Sequence, residues 1–201
     1  MYIPQYFRFN HRDEMVAFMK QYSFATIVTQ KDQVPVATQL PFVVDDSTGK
    51  LVLKAHFAAA NEQAKYIAQN TSLVIFAEPH AYISPVDYDK KESVPTWNYI
   101  AVHAYGKATI LTDEMAVGKA MEQMIMQYEP GYLAQWNGLS DKYKTGMMKG
   151  VVAFEIEVTD LQGQKKVSQN KSAGERERIS GRLENSGDAL AAAIAREMRG
   201  W

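Results

Sequence analysis

Between residues 151 and 158 the chain alternates. Val152, Phe154, Ile156 and Val158 are separated by Ala153, Glu155 and Glu157. Successive side chains of a strand point to opposite faces, so this pattern calls for a strand with one face in a core and the other in water. Such half-wet strands belong to antiparallel sheets, because all-parallel sheets are covered on both sides. Six further β-rich runs are present: Phe24 to Thr29, Val34 to Val44, Leu51 to His56, Leu73 to Phe76, Trp97 to Leu111 and Lys165 to Gln169. The second contains Pro35 and Pro41, which cannot donate to a ladder and predict an edge or bulged strand. Lys31-Asp32-Gln33, Asp45 to Gly49 and Gln162-Gly163 read as turns.

Helical patterns fall between these runs at irregular intervals. Asn10 to Tyr22 places Met15, Phe18, Met19 and Tyr22 on one side. Asn61 can cap a short helix over Glu62 to Ala68. Thr112 can cap another over Asp113 to Tyr128, whose methionines point to a core face, and Leu139 to Met148 is a third. Ser172 with Glu175 forms a capping-box signature that opens a charged helix, and Ala189 to Met198 forms a last one. Repeated βαβ units do not fit this spacing, whereas a small antiparallel barrel with helical decoration does. The expected class is mainly β with helices (α+β): residues 1–170 as the barrel domain, 171–201 as a C-terminal helical extension.

Composition narrows function. A formal charge of −1 leaves any nucleic-acid contact to a local patch. The absence of cysteine excludes disulfides, thiolate metal sites and a thiol nucleophile. His11, His56, His80 and His103 lack metal-ligand spacing, and neither a dinucleotide fingerprint nor a P-loop occurs. No apolar run approaches the length of a membrane span, and the start carries no signal-peptide pattern, so the expected setting is the cytoplasm.

Three segments combine polar groups in ways that suit a ligand. Lys54 and His56, followed by Asn61 at a helix start, bring a cation, an imidazole and backbone amides together as a phosphate seat, or else are a solvated lysine, a strand end and a plain cap. Tyr82 in His80 to Pro85 and Thr96, Trp97, Asn98 and Tyr99 offer walls for a planar ligand, or are half-buried packing. Lys166, Ser168 and Asn170 share a face at period two, as a row of donors or a solubilised edge. His103, on a strand face with Tyr99 and Tyr105, reads either as a ligand donor or as a structural histidine. For DNA, Lys165 to Arg182 carries six cations against two carboxylates, but the alternation of sign reads better as a solvated face laced with ion pairs.

The segments MYIPQYF, FATIVTQ, ATQLPF, AHFAAAN, PHAYISP, VPTWNYIAVHAYG and KKVSQNKS occur in the order seen in the PaiB family of FMN-binding negative transcriptional regulators, which the chain resembles over residues 1 to about 182. The resemblance implies a flavin-binding antiparallel split β-barrel, similar to the pyridoxamine-phosphate oxidase fold, working as a homodimer with FMN at the subunit interface and repressing genes. It implies that Lys54, His56 and Asn61 lie on the phosphate side and that Thr38 and Gln39 face the isoalloxazine. Thr96, Trp97, Asn98, His103, Lys166, Ser168 and Gln169 would complete the site across the dimer. Two departures stand out: Glu62-Gln63 where split-barrel oxidases commonly carry Arg-Lys, and Val86-Asp87-Tyr88 where relatives often carry a Trp before the Tyr. Competing expectations are a flavin-dependent oxidoreductase acting on a small molecule, and a haem-binding relative using His56, His80 or His103. No catalytic residue or metal site is assigned.

Overall fold

Seven strands form one antiparallel sheet in the order β2-β1-β5-β6-β7-β4-β3 in the computed structural model, which describes residues 1–200. They are β1 (Phe24–Lys31), β2 (Val34–Pro41), β3 (Val43–Asp45), β4 (Val52–Ala58), β5 (Thr71–Ile83), β6 (Thr96–Ile110) and β7 (Val151–Lys166). The helices are α1 (Arg12–Gln21), α2 (Glu114–Tyr128), α3 (Leu133–Gly138), α4 (Asp141–Met148), α5 (Ala173–Glu184) and α6 (Ala189–Arg199).

The expected count of seven strands is met, but by two offsetting differences. The run Val34 to Val44 is two strands, because Phe42 leaves the ladder to become fully buried while its N–H bonds the Ser23 carbonyl at 2.8 Å. The two pieces are the outermost strands of the sheet, where Pro35 and Pro41 cost least. Conversely, the turn expected at Gln162-Gly163 does not form, and β7 runs through it. A Cβ on Gly163 would lie 2.8 Å from the Cβ and carbonyl oxygen of Phe9, so glycine is there to admit the N-terminal segment, whose Phe9 N–H bonds the Gly163 carbonyl. The strand then ends at Lys166 rather than Gln169. Ser168 sits at φ 62°, outside any pleat, so Lys166, Ser168 and Asn170 do not share a strand face.

The chain divides into two compact units. The larger comprises Val16–Phe76 and Ala104–Leu161. Its core interlocks Phe57 and Phe154 (ring centroids 5.0 Å) with Phe42 and Phe76 (5.9 Å), all fully buried. Each such ring contributes about 1.5–3 kcal/mol through burial. Gly106 allows β6 to meet β7, since a Cβ there would be 2.2 Å from the Glu157 carbonyl oxygen. Its hairpin β1–β2 turns through Asp32 and Gln33, both at positive φ, as a two-residue turn matched to the strand twist requires. Asp113 rather than Thr112 caps α2, accepting from the Ala116 N–H at 2.9 Å. Of α2 only Ala120 is buried, so its methionines form no core face.

The other unit comprises Met1–Met15, Ala77–His103 and the segment from Gln162 onward. The capping box of Ser172 and Glu175 forms in full. Helices α5 and α6 pack on one another and bury Ile179, Leu183, Ala191, Ile194 and Met198.

Candidate functional site

In the unit that carries the C-terminal helices, the start of β6 and the end of β7 frame a cavity of about 440 Å³. Period two on β6 sends Thr96 and Asn98 to the cavity and leaves Trp97 half exposed on the other face. Lys166 donates to the Thr96 hydroxyl. Asn98, fully buried, donates from Nδ2 to Ser168 Oγ at 2.9 Å, and the same amide nitrogen lies 3.7 Å from Met198 Sδ. Lys166 lies 5.6 Å from the centre of the Phe7 ring, and burial pushes its ammonium pKa down. Among the described residues no carboxylate pairs with it. Lys171 stands 3.4 Å over the Tyr88 ring, and Tyr88 is itself pushed up, first by burial and then by the charge of Glu175. The lining also includes Glu92 and Val94.

Of the expected residues, this cavity gathers Thr96, Asn98, Lys166, Ser168 and Asn170. Gln169 is spent on its own turn, accepting from the Val167 N–H at 2.8 Å and donating to the Lys165 carbonyl. Tyr82 and His80 meet Trp97 instead, each at 5.9 Å between ring centres, as an exposed aromatic group outside the cavity lining. His103, half-buried, has its pKa pushed down by burial and then by the N-terminal ammonium.

The residues expected on the phosphate side lie in the larger unit and do not converge. Lys54 is bonded to Asp45 at 2.9 Å and to Gln123 Oε1 at 3.0 Å, with Glu155 at 3.7 Å. That ammonium, then the Ser47 hydroxyl, holds the Asp45 carboxyl well below the carboxylate range. Asn61 caps a short 3-10 turn and donates to Thr38 Oγ1 at 3.0 Å. Thr38 in turn donates to Gln63 Oε1 at 2.7 Å. Gln63, nearly fully buried, reaches the Ile27 and Val36 carbonyls and ties the turn to β1 and β2. Gln39 points outward. The acidic departure at Glu62 is answered by Lys31 at 2.8 Å, which draws the carboxyl pKa down. His56 belongs to a different neighbourhood, an apolar groove with α2, α3 and α4.

The sequence reading missed Phe7, Tyr88, Glu92, Val94 and Lys171 as cavity residues. From its length, the irregular segment Glu78 to Tyr99 reads as a functional or interface loop, as long loops in compact domains usually are, but that reading singles out none of these side chains; its ends belong to β5 and β6. Lys171 was counted only as a charge of the basic stretch. Three of the six cations of that stretch are committed to carboxylates elsewhere. Arg182 forks onto Asp87 at 2.8–3.0 Å, Arg178 binds Asp89, and Lys165 pairs with Glu197 at 2.6 Å.

The donor set is that of a site for an anionic, partly aromatic ligand: two ammonium groups, hydroxyls, a buried amide and ring walls around one cavity. Solved structures share this fold. The flavocytochrome Anf3 of Azotobacter vinelandii superposes with a TM-score of 0.67 at 12% identity, over 82% of this chain and 72% of that one. The FAD and heme binding protein of Mycobacterium smegmatis gives 0.64 at 14%, over 85% and 78%. The class is thus the antiparallel split barrel with added helices. The chain belongs to the family described as "Putative FMN-binding domain", which matches residues 1–160. Among curated relatives, Protease synthase and sporulation protein PAI 2 of Bacillus subtilis is 38% identical, over 98% of this chain and 96% of its own length. An uncharacterized protein of Emericella nidulans is 31% identical, over 85% of this chain and 81% of its own. The family's description names FMN, and the ammonium, hydroxyl, amide and ring groups of the cavity are of the kinds that suit such a ligand, with Glu92 the one carboxylate of the lining. No helix among the described residues is long and apolar enough to cross a membrane.

Proposed function

We propose that the chain is an FMN-binding protein of the PaiB type in which Lys166, Thr96, Asn98 and Ser168 hold polar oxygens of the flavin nucleotide. The observation that carries this reading is Lys166: a partly desolvated ammonium whose hydrogen bond goes to a neutral hydroxyl, so that an anionic oxygen gains a full charge-assisted partner. Bound FMN supplies one- and two-electron transfer. The chain's own residues bind and orient it, with Lys171 and Tyr88 closing one wall. An absorbance spectrum before and after adding FMN and exchanging buffer tests the reading. Retained flavin bands that are lost in Lys166→Ala support it, and retention unchanged by that substitution removes the site assignment. A probe already lies in the protein, since the methyl group of Met198, beside Asn98, should shift on FMN addition.

The protein works as a cytoplasmic homodimer and as a negative regulator of transcription. The name of the Bacillus relative, which ties it to protease synthesis and sporulation, supports the regulatory role. With Arg178 and Arg182 clamped onto Asp89 and Asp87, two of the three arginines of α5 are already committed, which favours another surface as the DNA-gripping element. Mobility-shift titrations at several salt concentrations test this. Arg178→Ala with Arg182→Ala should leave the salt slope unchanged, and a slope lowered by about two would return α5 to the interface.

A further inference from the structure

The larger unit holds a second concavity that the flavin reading does not use. It is a groove of about 270 Å³ under α2, α3 and α4, close to the lower limit of about 300 Å³ for small-molecule pockets. Met121 and Met124 of α2 face Met147 and Met148 of α4 across it, and Trp136 and Tyr132 supply aromatic walls. None of the lining side chains is an acid, a lysine or an arginine. Lys54, on the same strand as His56, is neutralised by Asp45. At the wall stands His56, whose Nδ1 is buried and has no hydrogen-bond partner among the described residues. A buried polar atom left unpaired costs roughly 1–3 kcal/mol, so His56 brings one unmet polar demand to a wall of thioether and ring surfaces. Burial pushes the His56 pKa down, which keeps the imidazole neutral at neutral pH. Methionine side chains adapt to flat partners and make favourable sulfur contacts with aromatic rings.

We propose that this groove is a second ligand site, for an uncharged planar aromatic molecule bearing a hydroxyl, with the methionines gripping its faces and His56 hydrogen-bonding the hydroxyl. A charged ligand would find no counter-ion there, and a purely aliphatic one would leave the imidazole unpaired.

The ten methionines give a direct readout when their methyl groups are labelled with carbon-13, because four of them line the groove. The protein is first saturated with FMN and then titrated with 1-naphthol or with its methyl ether, which has the same rings without the hydroxyl proton. Saturable shifts confined to Met121, Met124, Met147 and Met148 are expected, with 1-naphthol bound about tenfold more tightly, the worth of one hydrogen bond. His56→Phe should bring the two probes to within about twofold of one another, and Met147→Lys, at an exposed position, should abolish both titrations. Several outcomes would overturn the site. These are shifts shared equally by Met15, Met19 and Met198, a preference for 1-naphthol that survives His56→Phe, or non-saturating shifts. If FMN alone moves the four groove methyls, the groove belongs to the flavin site. If they move with protein concentration and no probe, a second copy fills it.

Discussion

Two strand lysines, both expected beside the flavin nucleotide, end in opposite states. Lys54 faces Asp45 and Glu155, so its charge is already balanced by the barrel that carries it. Among the described residues Lys166 meets only the Thr96 hydroxyl and a ring, and burial depresses its pKa. Both lysines lie in strands, but one is a structural tie and the other an unspent cation. A cation's use to a ligand is therefore set by the carboxylates around it, not by its place on a strand.

Substitutions can break or sharpen this contrast. Lys166→Ala should weaken FMN binding by roughly 10- to 100-fold, the range of one charge-assisted hydrogen bond, measured by quenching of flavin fluorescence on titration. Asn98→Ala leaves Ser168 buried without its amide partner and should cost about 1–3 kcal/mol in urea unfolding, with weaker FMN binding as well. Gly106→Ala should cost a similar amount, about 1–3 kcal/mol from overpacking against β7, while leaving the FMN affinity of the folded protein unchanged.

The acid limb separates the lysines in another way. Asp45 ionises more readily in the folded chain, through Lys54 and then Ser47. Its contribution is thus fully present above the ordinary carboxylate pKa of about 3.9 and is lost as pH falls below it. Asp45→Asn should flatten the fall of thermal stability in acid and leave the neutral-pH limb parallel to that of the wild type. The smallest effect belongs to Lys54→Met, which should change FMN affinity by less than about twofold. A loss comparable to that of Lys166→Ala would erase the contrast.

The fold was largely legible because its signals are local. Alternation in 151–158, prolines at the sheet edges and the Ser172–Glu175 box each decide structure within a few residues. The differences arise where distant segments decide. Nothing near Gly163 announces that Phe9 will lie on it, and nothing near Phe42 says that the core will draw it out of a strand. The candidate site was half legible for the same reason. Thr96 and Asn98 share a face by local periodicity, and Lys166 lies opposite them. But the neutralisation of Lys54 by Asp45 and Glu155, and the arrival of Lys171 over Tyr88, depend on pairings far apart in sequence.

The clamp between α5 and the residue 87–89 segment has a consequence for where the protein can be cut. Arg182 and Arg178 hold Asp87 and Asp89, and Glu175 accepts from the Asp89 N–H at 3.1 Å. The same loop goes on to supply Glu92 and Val94 to the cavity. A wall of the cavity is thus braced by a helix that follows it by some ninety residues and lines none of it. The family match ends at residue 160, before Lys166, Ser168 and α5. A polypeptide ending there keeps the phenylalanine core of the barrel but forfeits both a floor of the cavity and the brace on its wall. The boundary at which this family is recognised and the boundary at which its cavity is complete are therefore two different places in the chain.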